Sequence, residues 1–444
     1  MEAKPERRRS SGTWKATRTS FTKEDAEVAK ALGAGRRAWD PALVRHVDKP
    51  LSEQLAADEV QVLCQHLPKL ELHAHLSGSV LESTLQELCV TAGQDPGQAR
   101  FKLESLSGNE TYEKVWQETV EAFETIRKLT ANDISVLRRI ITEAVQFHAA
   151  DGCVYYEIRT GLKKLPDKRT FLAELIATLG TAQAKYGLIT RLLLSVDRGA
   201  SVEDCKETID IAIDAFEGQS TAIGGGILVG VEMGGNPLRG DFARDFRYHF
   251  DRARSAGLKV SLHFAENREN EAEHSAILDF APDRVGHAVY MSDAICRRLL
   301  AQRIPVEVCM TCHQAFYKVS MGNNILGTLL QRQHPAILCC DNACLLQTLP
   351  SMEHAHAIRT FGLTARDLHR MVMDATDAIF ADPKTKAKVR ALCETRLDQM
   401  FPKLKSQGWL GRARALPHEP WLPQMVAMAV IVAAGAAFVL RPRG

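Results

Sequence analysis

The chain runs to 444 residues, enough for one large barrel or for two to three ordinary domains. Its 45% hydrophobic and 25% charged residues give a globular composition and exclude a disordered or fibrous chain. The net charge of +2 hides an uneven spread, because residues 1–50 carry twelve Lys and Arg against seven Asp and Glu, and residues 408–444 carry four against one. The body from 51 to 407 is therefore net negative, which excludes a general nucleic-acid footprint.

The basic extension 1–50 begins with a run rich in Arg, Lys, Ser and Thr over residues 1–20, expected to be disordered. Thr22 with Asp25 has the form of a capping box opening a short helix that stops at Gly33. The spacing in "LSEQLAADEVQVLCQHL" predicts a further helix ending just before Pro68. From there short runs rich in Val, Ile, Leu and Tyr recur: "KLELHAHL" from Lys69, "CVYYEIR" from Cys153, "TRLLLSVD" from Thr190 and "ILVGVEM" from Ile227. They continue with "LKVSLHFA" from Leu258, "RVGHAV" from Arg284, "IPVEVC" from Ile304 and "AILCCD" from Ala336. The connectors between them, such as 201–218 and 239–257, show helical spacing of apolar positions. Eight strands in this alternation predict an α/β fold of the (β/α)8 TIM-barrel kind, spanning 51–407. The first crossover, 80–151, has room for extra helices that form a lid.

Eleven cysteines follow no framework, so free thiols in a reducing, cytoplasmic setting are expected. Cys309 and Cys312 make a C-x-x-C pair, but no second pair stands at zinc-ribbon spacing, and they read as buried thiols.

Barrel sites are built at the carboxyl ends of strands. Strand one ends with His73 and His75, strand five with His263 and then Glu266, strand six with His287, strand eight with Asp341. Residues two apart in a strand face the same side, so His73 and His75 both point into the barrel mouth. Any one of these alone reads as readily as a hydrogen-bonded core residue. Gathered at the ends of three strands, His73, His75, His263 and Asp341 point to a metal site that keeps a position open for water. Glu266 has a bland alternative, the solvated first turn of the charged stretch "ENRENEAEH", but its spacing of three from His263 favours acid–base work.

Taken together, "LPKLELHAHLSGS", "GVEMGGNP", "HFAE", "RVGHA" and "CCDN" resemble the motifs of the adenosine deaminase family of the amidohydrolase superfamily. That family's usual forms are H-x-H-L-x-G, D-L-x-G-D, H-x-x-E, G-H-G and D-D. The likeness runs from about Leu67 to about Lys405, and "ELHAHLSGS", "LLLSVDR" and "RIPVEVC" are most similar to the adenosine deaminase-like branch, the N6-methyl-AMP deaminases. The resemblance implies a metal-dependent hydrolase barrel with one zinc per chain, held by His73, His75, His263 and Asp341. The substrate it implies is a purine nucleoside or nucleoside monophosphate, N6-methyl-AMP foremost, which is converted to the inosine form with release of the amine. Zinc would lower the pKa of a water toward ~7, His287 would orient that water or take its proton, and Glu266 would protonate N1 of the ring. Gly235 would approach the ring edge through its backbone. Cytidine-type zinc deaminases use H-x-E with P-C-x-x-C, whereas the spacing here is H-x-x-E and Val308 precedes Cys309. Two-metal amidohydrolases usually have a bridging lysine on strand four, and "ILVGVEMGGNP" has none, so one zinc is expected.

The chain departs from the family pattern around the substrate. Asn342 stands for the second Asp of D-D, a position that the resemblance places against N7; Ala288 stands for the glycine after the strand-six histidine; Glu232 and Asn236 each replace an Asp. After strand seven, "CMTCHQAF" lacks the expected Ser/Asn pattern. These departures keep open a second reading, a membrane-tethered barrel that binds a purine nucleotide without turnover. Arg159 and Arg198, at the ends of strands two and three with Lys163 and Lys164 close by, are candidates for a phosphate, since arginine pairs with it bidentately. Finally, Met425 to Leu440 is uncharged and apolar, with Arg441 and Arg443 behind it. It is shorter than the ~20 residues of a typical span, so a membrane anchor through 421–440 and a docked helix both stand. The chain is otherwise read as a cytoplasmic monomer.

Overall fold

The computed structural model describes residues 37–99, 112–130, 133–219 and 226–407. All eight expected strands form: β1 (Lys69–His75), β2 (Cys153–Thr160), β3 (Ile189–Asp197), β4 (Leu228–Gly234), β5 (Lys259–Phe264), β6 (Arg284–His287), β7 (Val306–Val308) and β8 (Ala336–Leu338). Neighbours pair in chain order and every pair is parallel. Helices fill the connections, as parallel strands require. The ring closes at the mouth, where His75 N–H donates to the Asp341 carbonyl at 2.9 Å and Asp341 N–H donates to the His73 carbonyl at 2.8 Å. Three of the four expected metal ligands therefore sit on the seam that joins the last strand to the first.

The helices form for ordinary reasons. Ile134–Ala150 starts where the Asp133 carboxylate accepts from Ser135 N–H, and it buries Leu137, Ile140, Ile141, Ala144 and Val145, one stripe at helical spacing. Each such aliphatic side chain contributes about 1.5–3 kcal/mol on burial. Lys168–Tyr186 begins under Asp167 and ends at Gly187, whose φ of 70° suits a left-handed cap. The stretch before Pro68 is broken: Leu51–Glu53 is a 3-10 turn and Ala57–His66 a helix, because the Glu59 carboxylate turns back to accept from Ala56 N–H at 2.8 Å. The first crossover holds helices Glu82–Thr91, Tyr112–Thr130 and Ile134–Ala150. Trp116 on the second of these packs near Phe316 and Tyr317 beyond β7, at ring separations of 6.0 and 6.2 Å, and so covers the barrel mouth.

Val44 and Val47 are buried, and the Trp39 indole donates to the Met400 carbonyl, so the packed unit begins ahead of residue 51. All eleven cysteines are free thiols. The expected helix before Gly33 and the apolar run 425–440 lie outside the described residues. Among the described residues no helix is long and apolar enough to cross a membrane.

Candidate functional site

Below the mouth the barrel is filled by charge rather than by aliphatic side chains. Glu307, in the middle of β7, is the hub. Its Oε1 accepts from Arg284 Nε at 2.6 Å and Ser261 Oγ at 2.9 Å, and its Oε2 accepts from Arg159 at 2.9 Å and His73 Nδ1 at 2.7 Å. Arg284 also pairs with Glu157, which accepts from Phe380 N–H and the Tyr155 hydroxyl. Burial works against the charge of Glu307, but Arg159 and Arg284 overcome it and hold the carboxyl well below its usual range.

This layer sets the tautomers above it. A carboxylate and a carbonyl can only accept. His73 therefore donates through Nδ1 to Glu307, and His263 donates through Nδ1 to the Met233 carbonyl at 2.9 Å, with Glu232 at 3.1 Å. Each imidazole thus turns its Nε2 toward the barrel axis, the arrangement of metal-bound histidines supported from behind. His73 Nε2 is buried without a hydrogen-bond partner, and the Nε2 atoms of His75 and His263 face each other at 3.2 Å. Asp341 Oδ1 lies 3.4 Å from His75 Nε2 and 3.8 Å from His73 Nε2. Burial pushes His75 down to about 3 and His73 and His287 well below the ordinary imidazole value, so these rings are neutral, the form that binds metal. Burial lifts Asp341 to about 7. For His263 burial opposes the charge, but Glu232 and Glu266 prevail and lift it to about 9. One ligand atom from each of His73, His75 and His263 lies within 4.8 Å of the other two. Three convergent nitrogens and a carboxylate short of a counter-charge fit a metal ion.

Backbone strain marks the same places. His287, Ala288 and Asp341 have φ of 66°, 55° and 63°, in the left-handed region that costs a non-glycine residue about 1–2 kcal/mol. A Cβ on Gly286 would come 2.6 Å from His73 Cε1, and one on Gly234 would come 2.7 Å from His263 Cε1. The two glycines leave the room that the rings occupy.

Glu266 is not in a solvated first turn. The following helix starts at Glu271, and Glu266 is 3% exposed beneath the mouth. Burial raises its pKa, and the Tyr317 hydroxyl donates to it. His287 Nε2 is 3.8 Å from the same carboxylate oxygen. Asn342 donates from Nδ2 to Asp341 Oδ1 at 2.7 Å. Gly235 has φ of 101°, and a Cβ there would meet Asp197 Oδ1 at 2.5 Å.

The two arginines are placed otherwise than a phosphate role requires. Arg159 is fully buried below the histidines, bonded to Glu307 and to the Leu72 carbonyl, with no path for a phosphate. Arg198 is spent on a two-pronged pair with Glu273 at 2.6 and 2.8 Å and on the Arg239 carbonyl. Sequence reasoning read Cys312 as one of a pair of buried thiols and passed over Glu307, Tyr317, Gly234 and Gly286. Glu307 left a signal, a carboxylate between two valines in a strand, and the two glycines stand as letters of the quoted motifs.

Comparisons with known proteins agree with this geometry. The profile of the adenosine deaminase family matches residues 68–395. An Arabidopsis thaliana protein named N6-mAMP deaminase is 31% identical over 358 residues, covering 74% of this chain and 97% of its own. The Homo sapiens N6-methyl-AMP deaminase is 28% identical over 336 residues, covering 73% and 92%. Among solved structures, Arabidopsis ADAL complexed with GMP superposes with a TM-score of 0.66 at 31% identity, covering 75% of this chain and 98% of that one. The ADAL–IMP complex gives 0.67 at 30%, covering 77% and 99%. The chain belongs to the adenosine deaminase family and has its metal-dependent hydrolase barrel.

Proposed function

We propose that the protein is a zinc-dependent deaminase of 6-aminopurine nucleotides, acting on N6-methyl-AMP to give IMP and methylamine. The observation that carries this reading is a buried Glu266 set beside three convergent histidine nitrogens and Asp341. The relatives named for N6-methyl-AMP deamination, and the ADAL structures holding GMP and IMP, support a nucleotide.

His73, His75, His263 and Asp341 would hold the zinc, which when bound supplies a water whose pKa is lowered toward about 7. The chain's own groups then do the rest. His287, neutral through burial, orients the water and takes its proton as the oxygen adds to C6. Glu266, whose pKa burial raises, gives its proton to N1, so that negative charge does not build up on the ring. Collapse breaks the bond from C6 to the amine, which leaves with the proton that His287 took from the water, while the C6 hydroxyl proton goes to Glu266 as the carbonyl forms. Trp116 and Tyr317 cover the mouth and keep bulk water out. With both arginines committed elsewhere, Lys163 beyond β2 is the better phosphate partner. Burial and the charge of Arg127 hold its ammonium down to about 8, and among the described residues it has no ion pair, so a phosphate would relieve it.

A panel of adenosine, AMP and N6-methyl-AMP, followed by the ultraviolet change on conversion to the hypoxanthine ring, tests the reading. N6-methyl-AMP should be turned over fastest. Inertness of the zinc-loaded protein toward all three would refute it.

A further inference from the structure

The loop after β7 carries the departure "CMTCHQAF", and the deamination chemistry leaves its Cys312 without a task. Cys312 is 1% exposed, and its sulfur lies within 4.8 Å of an Asp341 carboxylate oxygen. One ligand atom from each of His287, Cys312 and Asp341 lies within 4.8 Å of the other two, the same span that gathers His73, His75 and His263. His287 Nδ1 is buried without a hydrogen-bond partner. Asp341 stands between the groups, with Oδ1 3.4 Å from His75 Nε2.

We propose that His287, Cys312 and Asp341 form a second cation position beside the three-histidine position, selective for a soft divalent ion, with Asp341 shared between the two. Imidazole nitrogen, thiolate sulfur and carboxylate oxygen make a zinc-type donor set, and the sulfur discriminates against magnesium and calcium, which take oxygen ligands. Zinc bonds of about 2.0–2.3 Å set tetrahedral ligands somewhat under 4 Å apart, so the three groups need to close by about an ångström. On binding, the thiol proton passes to water, the sulfur bonds to the cation, and no oxidation state changes. No lysine bridge is needed, because the shared carboxylate does that work. Where the deaminase reading holds, an ion here also takes up the imidazole that serves the attacking water, so excess soft metal inhibits. The binding itself does not rest on that reading.

The test is a cadmium titration of protein loaded with one zinc per chain, reading the sulfur-to-cadmium charge-transfer absorption in the ultraviolet while counting zinc in the same sample. Wild type and Cys309→Ser should take up a further equivalent and show the band. Cys312→Ser should lose both and keep its zinc, which also reports that it is folded. His287→Ala, with every thiol in place, should bind the second equivalent about tenfold or more weakly. Uptake of no second equivalent, a band that persists in Cys312→Ser or vanishes only in Cys309→Ser, or unchanged affinity in His287→Ala overturns the proposal. Each readout is spectroscopic and stands whether or not the protein deaminates.

Discussion

Around Glu307 the barrel interior meets both carboxylate oxygens with donors from its own wall, whereas one layer higher His73, His75 and His263 turn their Nε2 atoms toward the axis. Both oxygens of Glu307 are taken, by Arg159, Arg284, Ser261 and His73. Above it, His73 Nε2 has no hydrogen-bond partner and the Nε2 atoms of His75 and His263 face each other at 3.2 Å. Arginine and glutamate fill the lower layer and histidine the upper. What separates them is where the polar atoms turn: the Glu307 oxygens meet donors within the barrel wall, and the Nε2 atoms above face the axis, where a ligand can take them. The lower layer also works for the upper one, since Glu307 fixes the tautomer of His73 and Arg159 holds Glu307 in place.

Breaking the upper layer should cost chemistry and spare the fold. Glu266→Gln should lower kcat/KM by about 10²–10⁴, the usual weight of a positioned acid, with zinc content and Tm unchanged by metal analysis and calorimetry. In the wild type the sign of the Glu266 shift sets the alkaline limb. Its pKa is raised, so the proton that N1 needs is present below that pKa and lost as pH rises through it, and activity should persist above the free glutamate value before falling. A limb near the free glutamate value, seen in the pH dependence of kcat/KM, would contradict this.

Breaking the lower layer should do the reverse. Glu307→Gln leaves Arg159 and Arg284 short of a buried partner and should cost about 3–5 kcal/mol of unfolding free energy, measurable by urea titration. Gly286→Ala tests the join between layers. Its methyl would press on His73 from 2.6 Å, so zinc affinity should fall by about 10–100-fold, as for other disturbances of ligand support, with a much smaller loss of stability. The smallest effect is expected at Ala288→Gly, which relieves a φ of 55° worth about 1 kcal/mol and should leave zinc binding unchanged.

The barrel and the gathering of His73, His75, His263 and Asp341 at its mouth were legible for a shared reason. β-Branched and leucine-rich runs alternating with helical patterns announce parallel strands, and chemistry-bearing residues at their carboxyl ends announce a site. Arg159 was misread because position along a strand fixes height in the barrel, while the partner comes from elsewhere: Glu307 lies 148 residues away on β7. β1 also shifts register between Glu71 and Ala74, which strict alternation does not foresee. Arg198 fails likewise, its partner Glu273 being 75 residues on. Gly234 and Gly286 were visible as letters of a motif, but their purpose needs the rings beside them.

The central claim is that one metal, held on the seam between β1 and β8, makes this barrel a deaminase. Chelator-stripped protein should release no methylamine from N6-methyl-AMP. Returning zinc stepwise should restore release in proportion up to one zinc per chain, and His263→Ala should not respond. Full release by the stripped protein, or restoration in His263→Ala equal to the wild type, would contradict it.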